Sequence, residues 1–264
     1  METSTTSTEG WLVETSNRRN ADTPSWKGVA LMHKKTILAL GGATLALAVA
    51  SPAALGAGTQ VTVRVEGKKK TLLHTDMVRT HGGFITSNGA PARACSANSG
   101  AGALDVATDH RWKATWSTSF SDFLIKSILG DTESTSKFYW GIWINNRYAT
   151  SGACGLKLHR GDQLLFAVDS VAHHEHPLAI QAPKQVQSGK PFNVKVVYFT
   201  DSGKSKPAAG VRLTGVGKAP VTNKHGIARL RISGFGTLAM GAVGKGFIRA
   251  EFVGLPVCRG SLCA

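Results

Sequence analysis

Between Lys137 and Asp169 the apolar positions recur with a period of two. Phe138, Trp140, Ile142 and Ile144 fall on one face of an extended segment, and Tyr139, Gly141 and Trp143 on the other. Aromatic and β-branched residues at that period predict a strand. Both faces are apolar, so the strand needs cover on both sides. Asn145-Asn146 predicts a turn, and Gly161-Asp162 opens a second strand that runs to Asp169.

The same reading extends upstream. Val61, Val63 and Val65 alternate with Thr62, Arg64 and Glu66, a half-buried strand. Gly67-Lys68-Lys69-Lys70 turns the chain into a return strand from Thr71. Residues 87–91 are turn-rich. Ser99 is a candidate N-cap for a short helix through Leu104, Val106 and Ala107, with Asp105 and Asp109 expected on its solvated face. Downstream, residues 171–183 are expected to be a linker. Its His173-His174-Glu175-His176 tract is a metal-binding composition. No further ordered ligand is evident, so a polar connector is expected and no metal site. From Lys184 the strands 191–199, 207–213, 228–232 and 247–253 alternate with Asp201-Ser-Gly203 and Asn223-Lys-His-Gly226 turns. Short strands at regular spacing predict an antiparallel β-sandwich over 184–264. The fold class is mainly β, with an α+β first domain over 58–170.

The start of the chain changes the cellular picture. Residues 1–31 are polar and are expected to be a misplaced start or a leader. Met32-His-Lys-Lys, the apolar run 37–50 and the small residues to Ala57 form the three regions of a signal peptide, 32–57, with cleavage after Ala50 or Ala57. The run is short for a membrane span, with an uncleaved anchor as the alternative. A mature chain without a transmembrane segment is therefore expected to be secreted, extracellular or associated with the cell surface. An oxidising compartment favours disulfides. Four cysteines allow three pairings. Pairing within each half, Cys95–Cys154 and Cys258–Cys263, respects the domain division. Metal binding by Cys258 and Cys263 alone would lack two ligands.

Several of these segments carry a family resemblance. Cys95-Ser, Gly102-Ala-Leu-Asp-Val-Ala-Thr108, Tyr139-Trp-Gly-Ile-Trp-Ile-Asn-Asn146, Gly152-Ala-Cys154 and Gly161-Asp162-Gln-Leu-Leu-Phe166 occur in the order seen in transcobalamin-like C-terminal domains. The likeness covers about residues 60–169. It implies a β-grasp fold and a role in binding, with cobalamin as the family ligand. The larger helical domain that shares that ligand in the cobalamin carriers has no counterpart here. Pro207-x-x-Gly210-Val211, residues 222–226 and Ala228 more weakly resemble carboxypeptidase-regulatory and bacterial immunoglobulin-like sandwiches, which implies a stalk or adhesion module.

Charge and chemistry narrow the function classes. The chain of 264 residues has a formal charge of +15. Residues 184–264 hold 13 Lys and Arg against 2 Asp and Glu, whereas residues 58–183 hold 13 against 10. The basic excess attracts anions, and for an exported protein the reachable ones are wall polymers and headgroups, or another surface protein. No nucleic-acid motif is evident. No G-x-S-x-G elbow, phosphate-binding glycine loop or H-E-x-x-H motif is present, so catalysis is not expected. Trp112, Trp116, Tyr139, Trp140 and Trp143 place five large rings in 32 residues. They are either core or the wall of a small-ligand site, with Asn145, Arg147 and Tyr148 as polar anchors. Two functions stay open: an exported carrier of a small soluble ligand, and a surface interaction protein with none.

Overall fold

The computed structural model describes residues 58–132 and 136–260. The expected leader, the signal peptide and Cys263, with its pairing to Cys258, lie outside the described residues.

The first module contains β1 (Gln60–Glu66), β2 (Thr71–Arg79), α1 (Gly100–Ala107), β3 (Trp112–Ser117), β4 (Asp122–Ile128), β5 (Phe138–Ile144), β6 (Arg147–Tyr148) and β7 (Gln163–Ser170). Its main sheet has the order β2-β1-β7-β5-β6. The central pair, β1 and β7, is parallel, and the other neighbours are antiparallel. A hairpin, one helix and a returning strand parallel to the first make this a β-grasp. The helix is short and rich in small residues. Ser99 caps it by accepting from the Gly102 N–H at 3.3 Å. Ala101, Ala103 and Leu104 enter the core with Val61, Val63, Phe166 and Trp140. A side chain at Gly102 would run into the Ala97 carbonyl, so close helix packing requires glycine there. Asp105 is buried, contrary to the solvated position expected. It accepts from Trp112 Nε1 at 2.6 Å and pairs with His110 Nδ1 at 2.8 Å, because the chain folds back just after α1. Strands β3 and β4 form a separate hairpin in which Trp116 faces Phe123. Cys95 and Cys154 are disulfide-bonded, with Cα atoms 5.4 Å apart.

The second module contains β8 (His176–Gln181), β9 (Val186–Gln187), β10 (Pro191–Phe199), β11 (Ser205–Pro207), β12 (Arg212–Thr214), β13 (Ile227–Arg231), β14 (Gly236–Val243), β15 (Phe247–Ile248) and β16 (Val253–Cys258). One sheet runs β11-β10-β8-β15, with β13 also on β10, and the other β12-β14-β16-β9. Leu178, Val194, Val196 and Leu230 of the first sheet meet Leu213, Met240, Leu255 and Val257 of the second in one core. The expected sandwich is present, with two departures from an antiparallel arrangement: β15 runs parallel to β8, and β16 parallel to β9. The segment expected as a linker supplies β8, whose Pro177 and Leu178 are buried, because β10 leaves an edge for it to pair. Strands β14 and β16 carry glycine, alanine and proline, residues of low strand propensity, and tertiary pairing alone makes them strands. No helix among the described residues is long and apolar enough to cross a membrane.

Candidate functional site

Strand β5 divides the candidate residues by parity. Trp140 and Ile142 enter the first core. Trp143, 1% exposed, points the other way into a small cluster with Leu165, Ala167 and Ile248. Ile248 belongs to β15, so the cover on the outer face of the strand comes from the second module. Gly141 makes this possible: a Cβ there would sit 2.7 Å from the Trp143 indole. Asn145 and Asn146 both have positive φ, 50° and 63°, as a tight hairpin turn between β5 and β6 requires.

The remaining candidates separate further. Trp112 is buried and edge-on to Phe123, with its N–H committed to Asp105. Trp116 is half-buried on the other side of the same ring. Asn145 is a brace for the turn: its Nδ2 donates to Asp162 at 2.8 Å and its Oδ1 accepts from the Gln163 N–H at 2.9 Å. Arg147 crosses to the second module and donates Nε to the Ser202 carbonyl at 3.0 Å. The seven candidates therefore do not line one site.

Two of them do meet at a hollow. Between β4 and the stretch of β5 that β6 leaves unpaired lies a concavity of about 280 Å³ lined by Phe123, Leu124, Lys126, Tyr139, Trp140 and Tyr148. Trp140 Nε1 is buried without a hydrogen-bond partner among the described residues. An unpaired buried donor costs free energy of about 1–3 kcal/mol.

A polar centre missed by sequence reasoning adjoins this hollow. Asp169 is fully buried at the end of β7. Its carboxylate accepts from Tyr139 Oη at 2.7 Å, His174 Nδ1 at 2.5 Å, and the N–H groups of Ser170 and Glu175 at 2.7 and 2.8 Å. Four donors compensate a charge that would otherwise be costly to bury. Burial, followed by the hydrogen bonds to Tyr148 and Asp169, pushes the Tyr139 phenol well up. Burial and then the charge of Asp169 push the Glu175 carboxyl up. The only available signal was an Asp closing the otherwise apolar run 164–168.

The modules are also joined by charge. Glu66, 1% exposed, lies 3.0 Å from Arg249 Nε and 3.8 Å from Arg64 Nε. Arg249 also donates to the carbonyls of Gly67 and Lys68. Glu251 accepts from the Thr75 N–H and hydroxyl at 3.0 and 2.7 Å and contacts His74 Nδ1 at 3.0 Å. Burial works against ionisation of Glu251, but the bonds from His74 and Thr75 and the charge of Arg64 outweigh it and hold the carboxyl down at about 2. Asp201 and Glu251 are the two acidic residues of 184–264, and both face the first module. Every Lys and Arg of 184–260 except Arg249 is exposed.

No protein-family model matches the chain, and no curated protein matches it in sequence.

Proposed function

We propose that this is an exported, non-catalytic binding protein whose first module holds a small, flat ligand beside the stretch of β5 that β6 leaves unpaired. The observation that carries this reading is the aromatic hollow of about 280 Å³ formed by Phe123, Tyr139, Trp140 and Tyr148. Ligand sites are typically apolar hollows with a few oriented polar groups. The resemblance to transcobalamin-like domains supports binding over catalysis. The hollow would take only one substituent or edge of a corrinoid, which favours a smaller ligand. The test is a titration of the chain from residue 58 with cyanocobalamin and with free nucleobases and flavin, followed by tryptophan fluorescence and calorimetry. Saturable binding that is lost in Leu124→Arg, a change at an exposed lining position, supports the reading. Flat titrations throughout overturn it.

The second module favours a concurrent reading as a surface-interaction protein. Its acidic residues are engaged at the junction and its basic residues other than Arg249 face outward, which suits an anionic wall polymer. Retention on such material that falls steeply with salt is the expected behaviour.

A further inference from the structure

His174 and His176 are two residues apart, and their rings lie edge-on with centroids 5.2 Å apart. They approach Asp201 in the turn between β10 and β11. His174 Nε2 is 2.9 Å from Asp201 Oδ1, and His176 Nδ1 is 3.5 Å from the same oxygen. The three ligand atoms lie within 4.8 Å of one another. His176 Nδ1 is buried and makes no hydrogen bond within the described residues, its separation from Asp201 being an ion-pair distance only.

The hydrogen-bond pattern around His174 is specific. Its Nδ1 faces Asp169 Oδ2, and Asp169 already serves three other donors, so Asp169 is the acceptor and Nδ1 carries the proton. In the neutral ring Nε2 is then a lone pair aimed at a carboxylate oxygen 2.9 Å away. Two acceptors face each other, and a cation must lie between them or on one of them. A proton on Nε2 accounts for His174 but leaves the buried Nδ1 of His176 unused. A metal ion accounts for both rings.

We propose that His174, His176 and Asp201 bind one divalent transition-metal ion of the zinc class. Two imidazoles and a carboxylate are a donor set that such ions prefer and that calcium and magnesium, which take oxygen ligands, do not. In a tetrahedral site with bonds of about 2.0–2.1 Å, donor atoms sit roughly 3.3–3.4 Å apart. The pairs at 2.9 and 3.5 Å straddle that spacing. Asp169 occupies the outer position that carboxylates take behind metal-bound histidines, where it fixes tautomer and ring orientation. The Asp201 side chain is 61% exposed, so water reaches the fourth position. The bound ion ties the connection between β7 and β8 to the turn between β10 and β11, next to the cross-module bonds from Tyr148 N–H to the Asp201 carbonyl and from Arg147 to Ser202.

Trp143 reports on the site, since its indole lies nearly parallel to the His174 ring, at 12° and 5.9 Å between centroids. The experiment uses the chain from residue 58, stripped with chelator and titrated with zinc and with cobalt(II). One equivalent of zinc should bind by calorimetry, with a saturable change in tryptophan emission and a rise in Tm that chelator reverses. Cobalt should give the visible absorption of a tetrahedral ion, which a merely structural histidine cluster would not produce. D201N and H176Q should each weaken zinc at least tenfold and abolish the cobalt spectrum. D201N alters an exposed side chain, so its Tm in chelator should stay near that of the parent. Magnesium and calcium should give no response. Absence of a one-equivalent site, or unchanged zinc affinity and cobalt spectrum in both variants, overturns the proposal.

Discussion

Arg249 donates its guanidinium Nε to Glu66 at 3.0 Å, joining residues 183 positions apart across the boundary between the two modules. Burial pushes the Glu66 carboxyl up, against the charges of Arg64 and then Arg249. Removing one partner of a buried pair strands the other charge. Arg249→Ala should cost about 3 kcal/mol of unfolding free energy, and Glu66→Gln in the same chain should restore part of it. A urea titration measures both. A cost below about 1 kcal/mol, the range of exposed pairs, would mean Arg64 alone compensates Glu66.

Glu251 should give the chain an acid-sensitive arm. Its carboxyl is held at about 2 in the fold, against roughly 4.3 in an unfolded chain. A depressed acid contributes stability that is fully present above the unfolded value and lost as pH falls towards the folded one. Tm should therefore fall more steeply between about pH 5 and pH 2 in the parent than in Glu251→Gln, and the two curves should converge at the acid end. Parallel curves would remove Glu251 as a cause.

Asp122 pins the disulfide loop to β4. It is buried and accepts from the N–H groups of Phe123, Cys154 and Gly155 at 2.7, 2.9 and 2.9 Å. Asp122→Ala leaves those donors without their charged acceptor, at an expected cost of about 3 kcal/mol. Asp122→Asn keeps an acceptor and should cost less. Thermal unfolding of the two variants ranks them.

The Cys95–Cys154 bond spans 59 residues of separation. The chain-entropy treatment assigns such a closure roughly 4 kcal/mol. Replacing both cysteines with alanine should lower the urea midpoint accordingly, and reductant should have little further effect on that variant. A double variant as stable as the parent would show that Asp122 already holds the loop.

The sequence by itself determined what is local. The faces of β5 follow from the alternation of Phe138 to Ile144, because a strand has a period of two whatever covers it. The β1–β2 hairpin, the turn at Asn145 and Asn146, the Ser99 cap and the Cys95–Cys154 pairing also follow from residues near one another or from simple division of the chain. Tertiary structure decided what covers each face. Trp143 looks like a ligand ring in the sequence and becomes packing because Ile248 lies over it. Strand β8 looks like a linker because a His-Pro start carries little strand propensity, and only the open edge of β10 gives it partners. Asp201 and Glu251 read as ordinary turn and strand charges until the fold sets them against His174 and Thr75. Cross-module pairings between side chains join positions as far as 183 residues apart. No period or spacing along the chain encodes them, since they depend on how two separately patterned modules meet.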